Sequence, residues 1–280
     1  MWVTDAGIFR VADMARAQGA AGAYQTIDPV LADPALMNRV QEWSAKIASA
    51  GLNPVTPTRW LAPVPRPSKI VCVGLNYRPH VAESKQQLPT HPVLFNKYQT
   101  SVRGSGDTVR PPKDAANLDY EAELVIVMGR TARNVPEAAA LDYVLGYCNG
   151  NDISARDLQF RSGQWLLGKA CDGFGPMGPY VVTADEVPNP NNLEIRGFRN
   201  DEVVQHSNTR EMIFDCRELI SYISRYITLE PGDVIFTGTP EGVIQGMPES
   251  EQRWLQPGET LAVEIEGLGR LTNTIGTPEE

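Results

Sequence analysis

The segment LDYEAELVIVMG, residues 118–129, limits the fold more than any other part of this chain. Leu124, Val125, Ile126 and Val127 form an apolar, β-branched run of the kind that makes a buried strand. Side chains alternate faces along a strand, so Glu121 and Glu123 share one face, about 7 Å apart at a rise of about 3.3 Å per residue. Two carboxylates side by side on a buried strand repel each other, and burying either alone is costly. Either the face is wet or a positive charge lies between them.

The rest of the chain repeats the strand signal. KIVCVGLNY runs from a strand into a turn, and further strands are predicted over 91–97, 118–128, 144–151, 178–183, 193–199, 233–237 and 260–266. Gly- and Pro-rich turns separate them, with LEPGD and LQPGE as tight turns before strands. NTREMIFDCRELISYISRYI, residues 208–227, is the clearest helix, with Met212, Cys216, Leu219, Ile220, Ile223 and Ile227 at helical spacing. Asn208 and Glu211 form its expected capping box. Strands without regular β–α alternation predict an α+β, β-rich fold rather than a Rossmann or TIM architecture.

The first 65 residues read as a small α+β domain: a hairpin turning at Asp5–Gly7, then an amphipathic helix over 34–49. NPVTPTRWLAPVPRPSK follows, a linker with five prolines, and places the larger domain at 66–280.

Composition excludes several classes. The 280-residue chain has a net charge of -9, which argues against nucleic acid and anionic membranes as partners. Cys72, Cys148, Cys171 and Cys216 form no C-x-x-C pair and read as buried thiols of a reducing compartment. No apolar run reaches membrane-spanning length and the N-terminus shows no signal pattern, so the expected location is cytoplasmic. There is no G-x-S-x-G elbow, P-loop or dinucleotide fingerprint.

Three carboxylates, Glu121, Glu123 and Asp152, would make an oxygen-rich site suited to a hard cation, Mg²⁺ or Mn²⁺. The bland alternative is a solvated strand face. His80 and Glu83 stand one helical turn apart, the spacing of an oriented general base or of an ordinary helix start. Arg156 and Gln159 follow Asp152 at four and seven positions. Lys169 lies in a Gly-rich apolar stretch, and Thr239 closes the strand-end turn TGTPEG. His91 and His206 read as surface residues, the latter in a polar turn.

Five motifs occur together and in order: G-x-N-Y-x-x-H-x-x-E (74–83), D-Y-E-x-E-L (119–124), N-D-x-S-A-R-D-x-Q (151–159), G-K-x-x-D-x-F-x-P-x-G-P (168–179) and P-G-D-V-I-x-T-G-T-P-x-G-V (231–243). In this the chain resembles the fumarylacetoacetate hydrolase family over residues 66–275. The resemblance implies a roll of mixed β-sheets, usually a homodimer, with Mg²⁺ or Mn²⁺ held by Glu121, Glu123 and Asp152. It implies His80 and Glu83 as a water-activating pair, Lys169 as a catalytic cation, and Arg156, Gln159 and Thr239 as substrate-binding residues. Longer members carry a fourth acidic ligand before the histidine; here GLNY has none, as in acylpyruvase-like members.

The function so implied is metal-dependent hydrolysis of a carbon–carbon bond in a small 2,4-dioxo acid, giving pyruvate or a related oxo acid and a second acid. The alternatives are an oxaloacetate-type decarboxylase, an isomerase or hydratase of an unsaturated oxo acid, and a non-catalytic metal-dependent binding protein. Segments 84–90 and 244–256 are the expected determinants of the substrate's tail.

Overall fold

A computed structural model describes residues 1–20 and 34–278, which form two compact units, Met1–Arg59 and Trp60–Glu280. The division falls within the proline-rich segment read as a linker. Ala62 and Val64, inside that segment, pack into the core of the larger unit with Ile70 and Val234.

In the smaller unit, β1 (Trp2–Thr4) and β2 (Gly7–Phe9) form an antiparallel hairpin. Helices α1 (Val11–Ala17) and α2 (Pro34–Ser44) follow. Leu36, Val40, Trp43 and Ile47, the apolar stripe expected of an amphipathic helix, are buried against Phe9 and Met14.

The larger unit contains β3 (Ile70–Gly74), β4 (Val93–Lys97), β5 (Val102–Arg103), β6 (Thr108–Val109), β7 (Leu118–Asp119), β8 (Ala122–Met128), β9 (Val144–Asn151) and β10 (Ser154–Ala155). It continues with β11 (Gly175–Thr183), β12 (Glu194–Arg199), β13 (Glu202–Asn208), β14 (Val234–Phe236), β15 (Thr260–Ile265) and β16 (Arg270–Ile275). Its helices are short, α3 (Arg78–Glu83), α4 (Arg156–Gln159) and α5 (Leu166–Lys169), except for α6 (Cys216–Tyr226).

Among the described residues a seven-stranded mixed sheet runs β4-β3-β14-β8-β9-β11-β5, and a five-stranded sheet runs β13-β12-β15-β16-β6. Strand β8 is central in the first and buried along its whole length. Its side chains divide by parity. Leu124, Ile126 and Met128 face a core shared with α6 (Leu219, Ile220, Ile223) and the second sheet (Ile195, Val263, Leu271). Val125 and Val127 face the other way, onto Cys72, Cys148 and Phe236. Glu121 and Glu123 continue this second face toward the start of the strand. The β-rich, mixed-sheet fold expected from the sequence is the one observed.

Several local expectations are corrected. Residues 118–128 are not one strand. Strand β7 pairs with β10, β8 pairs with β9, and the chain breaks between them, where the Asp119 carboxylate accepts the Tyr120 N–H and the Asn151 side chain accepts the Glu121 N–H. Side chains there replace the ladder bonds a continuous strand would make. Helix α6 begins at Cys216, not after Asn208. Its capping box is Asp215 with Glu218, and Asn208 caps only the short turn 209–211. His206 lies in β13, not a turn. Asn200 and Asp201, both at positive φ, make the two-residue hairpin that returns β13 onto β12. No described helix is long and apolar enough to cross a membrane.

Candidate metal centre and active site

The start of β8 and the end of β9 bring three carboxylates together. Ala122 pairs with Asn151, the Asp152 N–H donates to the Glu121 carbonyl at 2.9 Å, and Asn151 Oδ1 accepts the Glu121 N–H at 3.0 Å. Glu121, Glu123 and Asp152 are all buried, each offering a carboxylate oxygen within 4.8 Å of the others. The solvated strand face is therefore ruled out as the setting of these residues.

Three buried cations face this charge. Lys169 Nζ lies 2.7 Å from Glu121 and 3.0 Å from Asp152. Lys97 Nζ lies 2.6 Å from the other oxygen of Asp152 and also contacts the Lys169 carbonyl. Arg156 Nη2 sits between Glu121 (2.7 Å) and Asp119 (2.8 Å). Burial pushes the Glu121 carboxyl up, but Lys169 and Arg156 outweigh it and hold the group at about 2. Burial pushes Lys169 down, and Asp152 and Glu121 outweigh that, so its ammonium is retained.

Glu123 differs. Burial, then the negative charges of Asp152 and Glu121, push its carboxyl well above the usual range. Among the described residues its one hydrogen bond is from the Gly238 N–H at 2.8 Å, and no ion pair engages it. A buried carboxylate facing two others, with no cation of its own, is the donor a bound ion would complete. The all-oxygen set suits a hard divalent cation, so these residues fit Mg²⁺ or Mn²⁺.

The turn after β14 allows the Glu123 contact. Gly238 has φ +98°, and a Cβ there would lie 2.8 Å from the Asn76 Cβ and 2.9 Å from the Val73 carbonyl. Asn76, the asparagine of the GLNY stretch, is fully buried. Its amide donates to the carbonyls of Phe214 and Thr237, fixing the entry to α3.

On α3, His80 Nδ1 lies 2.8 Å from Glu83 Oε1, and Glu83 Oε2 accepts the Gly242 N–H at 3.0 Å. A carboxylate can only accept, so Glu83 selects the Nδ1–H form and leaves Nε2 as the basic nitrogen.

A cavity of about 540 Å³ joins these groups. His80, Glu83, Glu121, Arg156, Gln159, Lys169 and Thr239 line it, while Glu123 and Asp152 are packed beside Glu121. Of the segments expected to contact the substrate's tail, 84–86, 245–249 and Gln252 reach the wall. Arg156, which lines the cavity, is already engaged by protein groups: Nε and Nη2 meet Asp119, Nη2 meets Glu121, and Nη1 donates to Gln159 Oε1.

Three residues of the site are absent from the sequence reading. Lys97 ends an apolar strand, where a buried lysine is unusual enough to have been a signal. Asp119 stood inside the quoted D-Y-E-x-E-L motif. Gln205, on β13, receives the Ala122 N–H between the two glutamates and donates to Thr239 Oγ1 at 2.9 Å; nothing in its local sequence marks it.

The family model for the fumarylacetoacetate (FAA) hydrolase C-terminal domain matches residues 69–276. The chain belongs to the fumarylacetoacetate hydrolase family. It is similar to the mitochondrial oxaloacetate tautomerase FAHD2A of Homo sapiens, 42% identical over 236 residues, or 82% of this chain and 74% of that protein. Among solved structures, 5-carboxymethyl-2-hydroxymuconate delta-isomerase from Mycobacterium smegmatis is 40% identical, with a TM-score of 0.70 over 79% of this chain and 83% of that one. Fumarylpyruvate hydrolase from Pseudomonas aeruginosa, in complex with Mn²⁺ and pyruvate, is 33% identical, with a TM-score of 0.67 over 75% and 89%. Family members thus bear names of tautomerases, isomerases and hydrolases, which supports a metal-site enzyme of this family rather than one fixed reaction.

Proposed function

We propose that the chain interconverts the keto and enol forms of a small 2-oxo dicarboxylic acid of the oxaloacetate class. The observation that carries this reading is the His80–Glu83 pair lining the same cavity as Glu121 of the buried carboxylate triad. In the keto-to-enol direction the C3–H bond breaks and its proton passes to His80 Nε2. The electron pair forms the C2–C3 double bond, the C2–O π pair moves onto the 2-oxo oxygen, which takes a proton from water, and the imidazolium returns its proton to the hydroxide so formed. Glu83 keeps the imidazole oriented and stabilises the imidazolium formed. A divalent cation held by Glu121, Glu123 and Asp152 would supply Lewis-acid stabilisation of negative charge developing on the 2-oxo oxygen. Lys169, kept protonated by Glu121 and Asp152, acts as a hydrogen-bond donor rather than a proton source. Thr239 accepts a hydrogen bond from Gln205, so its own O–H is directed to a substrate carboxylate. The name of the human relative supports the choice of oxaloacetate.

Cavity size favours a second reading. At about 540 Å³ it lies in the ~300–1,000 Å³ range of sites for drug-sized ligands, more than a four-carbon diacid fills. A longer 2,4-dioxo acid would be hydrolysed by the same groups. His80 takes a proton from water, the hydroxide adds to the C4 carbonyl, the C3–C4 bond breaks, and C3 regains a proton to give pyruvate and a second acid. The homodimer implied by the resemblance is part of the proposal and is checked by light scattering.

The test uses purified protein with Mg²⁺ or Mn²⁺. Loss of enol-oxaloacetate absorbance is followed beside pyruvate release from acetylpyruvate and fumarylpyruvate. Enol conversion well above the metal-and-buffer rate, falling roughly 100-fold in His80→Ala, is expected. Pyruvate release without enol conversion selects the hydrolase. Cation binding with no turnover of any of the three overturns both in favour of a binding protein.

A further inference from the structure

Asp119 carries no role in the reaction above, yet it is fully buried at the edge of the site. Its Oδ1 accepts the N–H groups of Tyr120 and Ile244, both at 2.9 Å. Its Oδ2 accepts the Gln245 N–H at 3.0 Å and meets Arg156 through Nε at 2.9 Å and Nη2 at 2.8 Å. A carboxylate has about four lone-pair directions, so these donors saturate it and it is no cation ligand.

The partners lie on two sides. Ile244 and Gln245 begin the segment that walls the cavity through Gln245, Gly246 and Met247. Arg156 holds Glu121, with Nη2 2.7 Å from Oε1. The guanidinium is thus shared by two carboxylates at nearly equal distance, one in the triad and one outside it.

We propose that Asp119 is a positioning residue that couples the 244–247 wall to the cation affinity of the triad. With its charge in place, Asp119 draws Arg156 away from full engagement with Glu121, leaving that carboxylate free to be shared with a cation. Without the charge, Arg156 bears on Glu121 alone and competes with the cation for it. The 244–247 wall loses its anchor in the same event, because an amide offers one accepting oxygen where the carboxylate offered two. The coupling is reciprocal: a change on the Arg156 side is felt at Ile244 and Gln245, to which Arg156 makes no hydrogen bond among the described residues.

The inference rests on the triad binding a divalent cation, and the test separates the two. Mn²⁺ is titrated into full-length, chelator-stripped protein, with free Mn²⁺ read by electron paramagnetic resonance and backbone amide exchange read by mass spectrometry. Asp119→Asn is expected to raise the Mn²⁺ dissociation constant roughly 10- to 100-fold, the usual cost of an outer partner of a metal ligand, and to speed exchange over 244–247. Arg156→Lys, which keeps the charge but loses the fork, is expected to speed exchange over the same amides, and covers the case in which Asp119→Asn does not fold. If wild type binds no Mn²⁺, the cation reading itself fails. If wild type binds Mn²⁺ and Asp119→Asn binds it within twofold, or Arg156→Lys leaves 244–247 protected, the coupling is overturned.

Discussion

Gly246 presses against the carboxylate of Glu83: a Cβ on Gly246 would lie 2.6 Å from Cδ and 2.8 Å from Oε2. Glu83 is also held by His80 through Oε1 and by the Gly242 N–H through Oε2, so it cannot retreat without releasing one of them. Gly246→Ala should therefore turn the His80 ring out of line. The expected result is a fall in kcat of roughly 10- to 100-fold, the scale of an ångström-sized misplacement, with KM and melting temperature little changed. Unchanged kcat would show that the wall has room to yield.

Lys97 should matter first to the cation-free protein. Its side chain is inaccessible and its ammonium lies 2.6 Å from Asp152. Lys97→Met leaves Asp152 with less compensation, and breaking a buried pair from one side costs about 3–5 kcal/mol. Saturating Mn²⁺ should restore part of the loss. Thermal melts of both proteins with and without Mn²⁺ should therefore show a larger metal-induced rise in the variant, and equal rises would contradict this.

Removing the cation should destabilise the wild-type fold. A ligand bound only by the native state adds about 2.7 kcal/mol at 100 times its dissociation constant. Urea unfolding before and after chelator treatment measures that difference. In Glu123→Gln the metal-dependent gain should vanish, while stability without metal should not fall, because burial and the neighbouring carboxylates already disfavour a charge at this position. A chelator effect of the same size in Glu123→Gln would place the stabilising ion elsewhere.

The strand ends that carry the triad depend on one small residue in the core. A Cβ on Gly150 would lie 2.4 Å from Val125 Cγ2 and 2.7 Å from Phe236 Cε1. Gly150→Ala should cost about 1–3 kcal/mol by overpacking, seen as a lower urea midpoint. Val125→Ala in the same chain removes the nearest clashing atom, and the double variant should recover part of the loss. Strict additivity of the two penalties would contradict the contact.

These outcomes also mark what the sequence could reveal. Glu121 and Glu123 were legible as a same-face pair because strand parity is a local rule. His80 and Glu83 were legible because a helical turn sets their spacing. Asp152 could be grouped with them by its chemistry, but only the order of family motifs tied it, Lys169 and Thr239 to one site, since nothing local brings three strand ends together. Lys97 offered only the signal of a lysine closing an apolar strand, because its partner Asp152 lies far along the chain, just after β9. The start of α6 was misplaced because N-T-R-E and D-C-R-E both fit a capping box, and only the tertiary course of residues 208–215 chooses between them.

Anomalous diffraction at the manganese edge from crystals grown with Mn²⁺ tests the central claim most directly. The account predicts a single strong peak per chain bounded by the side chains of Glu121, Glu123 and Asp152. Ordered carboxylates still bridged by Lys169, with no anomalous peak among them at saturating Mn²⁺, would contradict it.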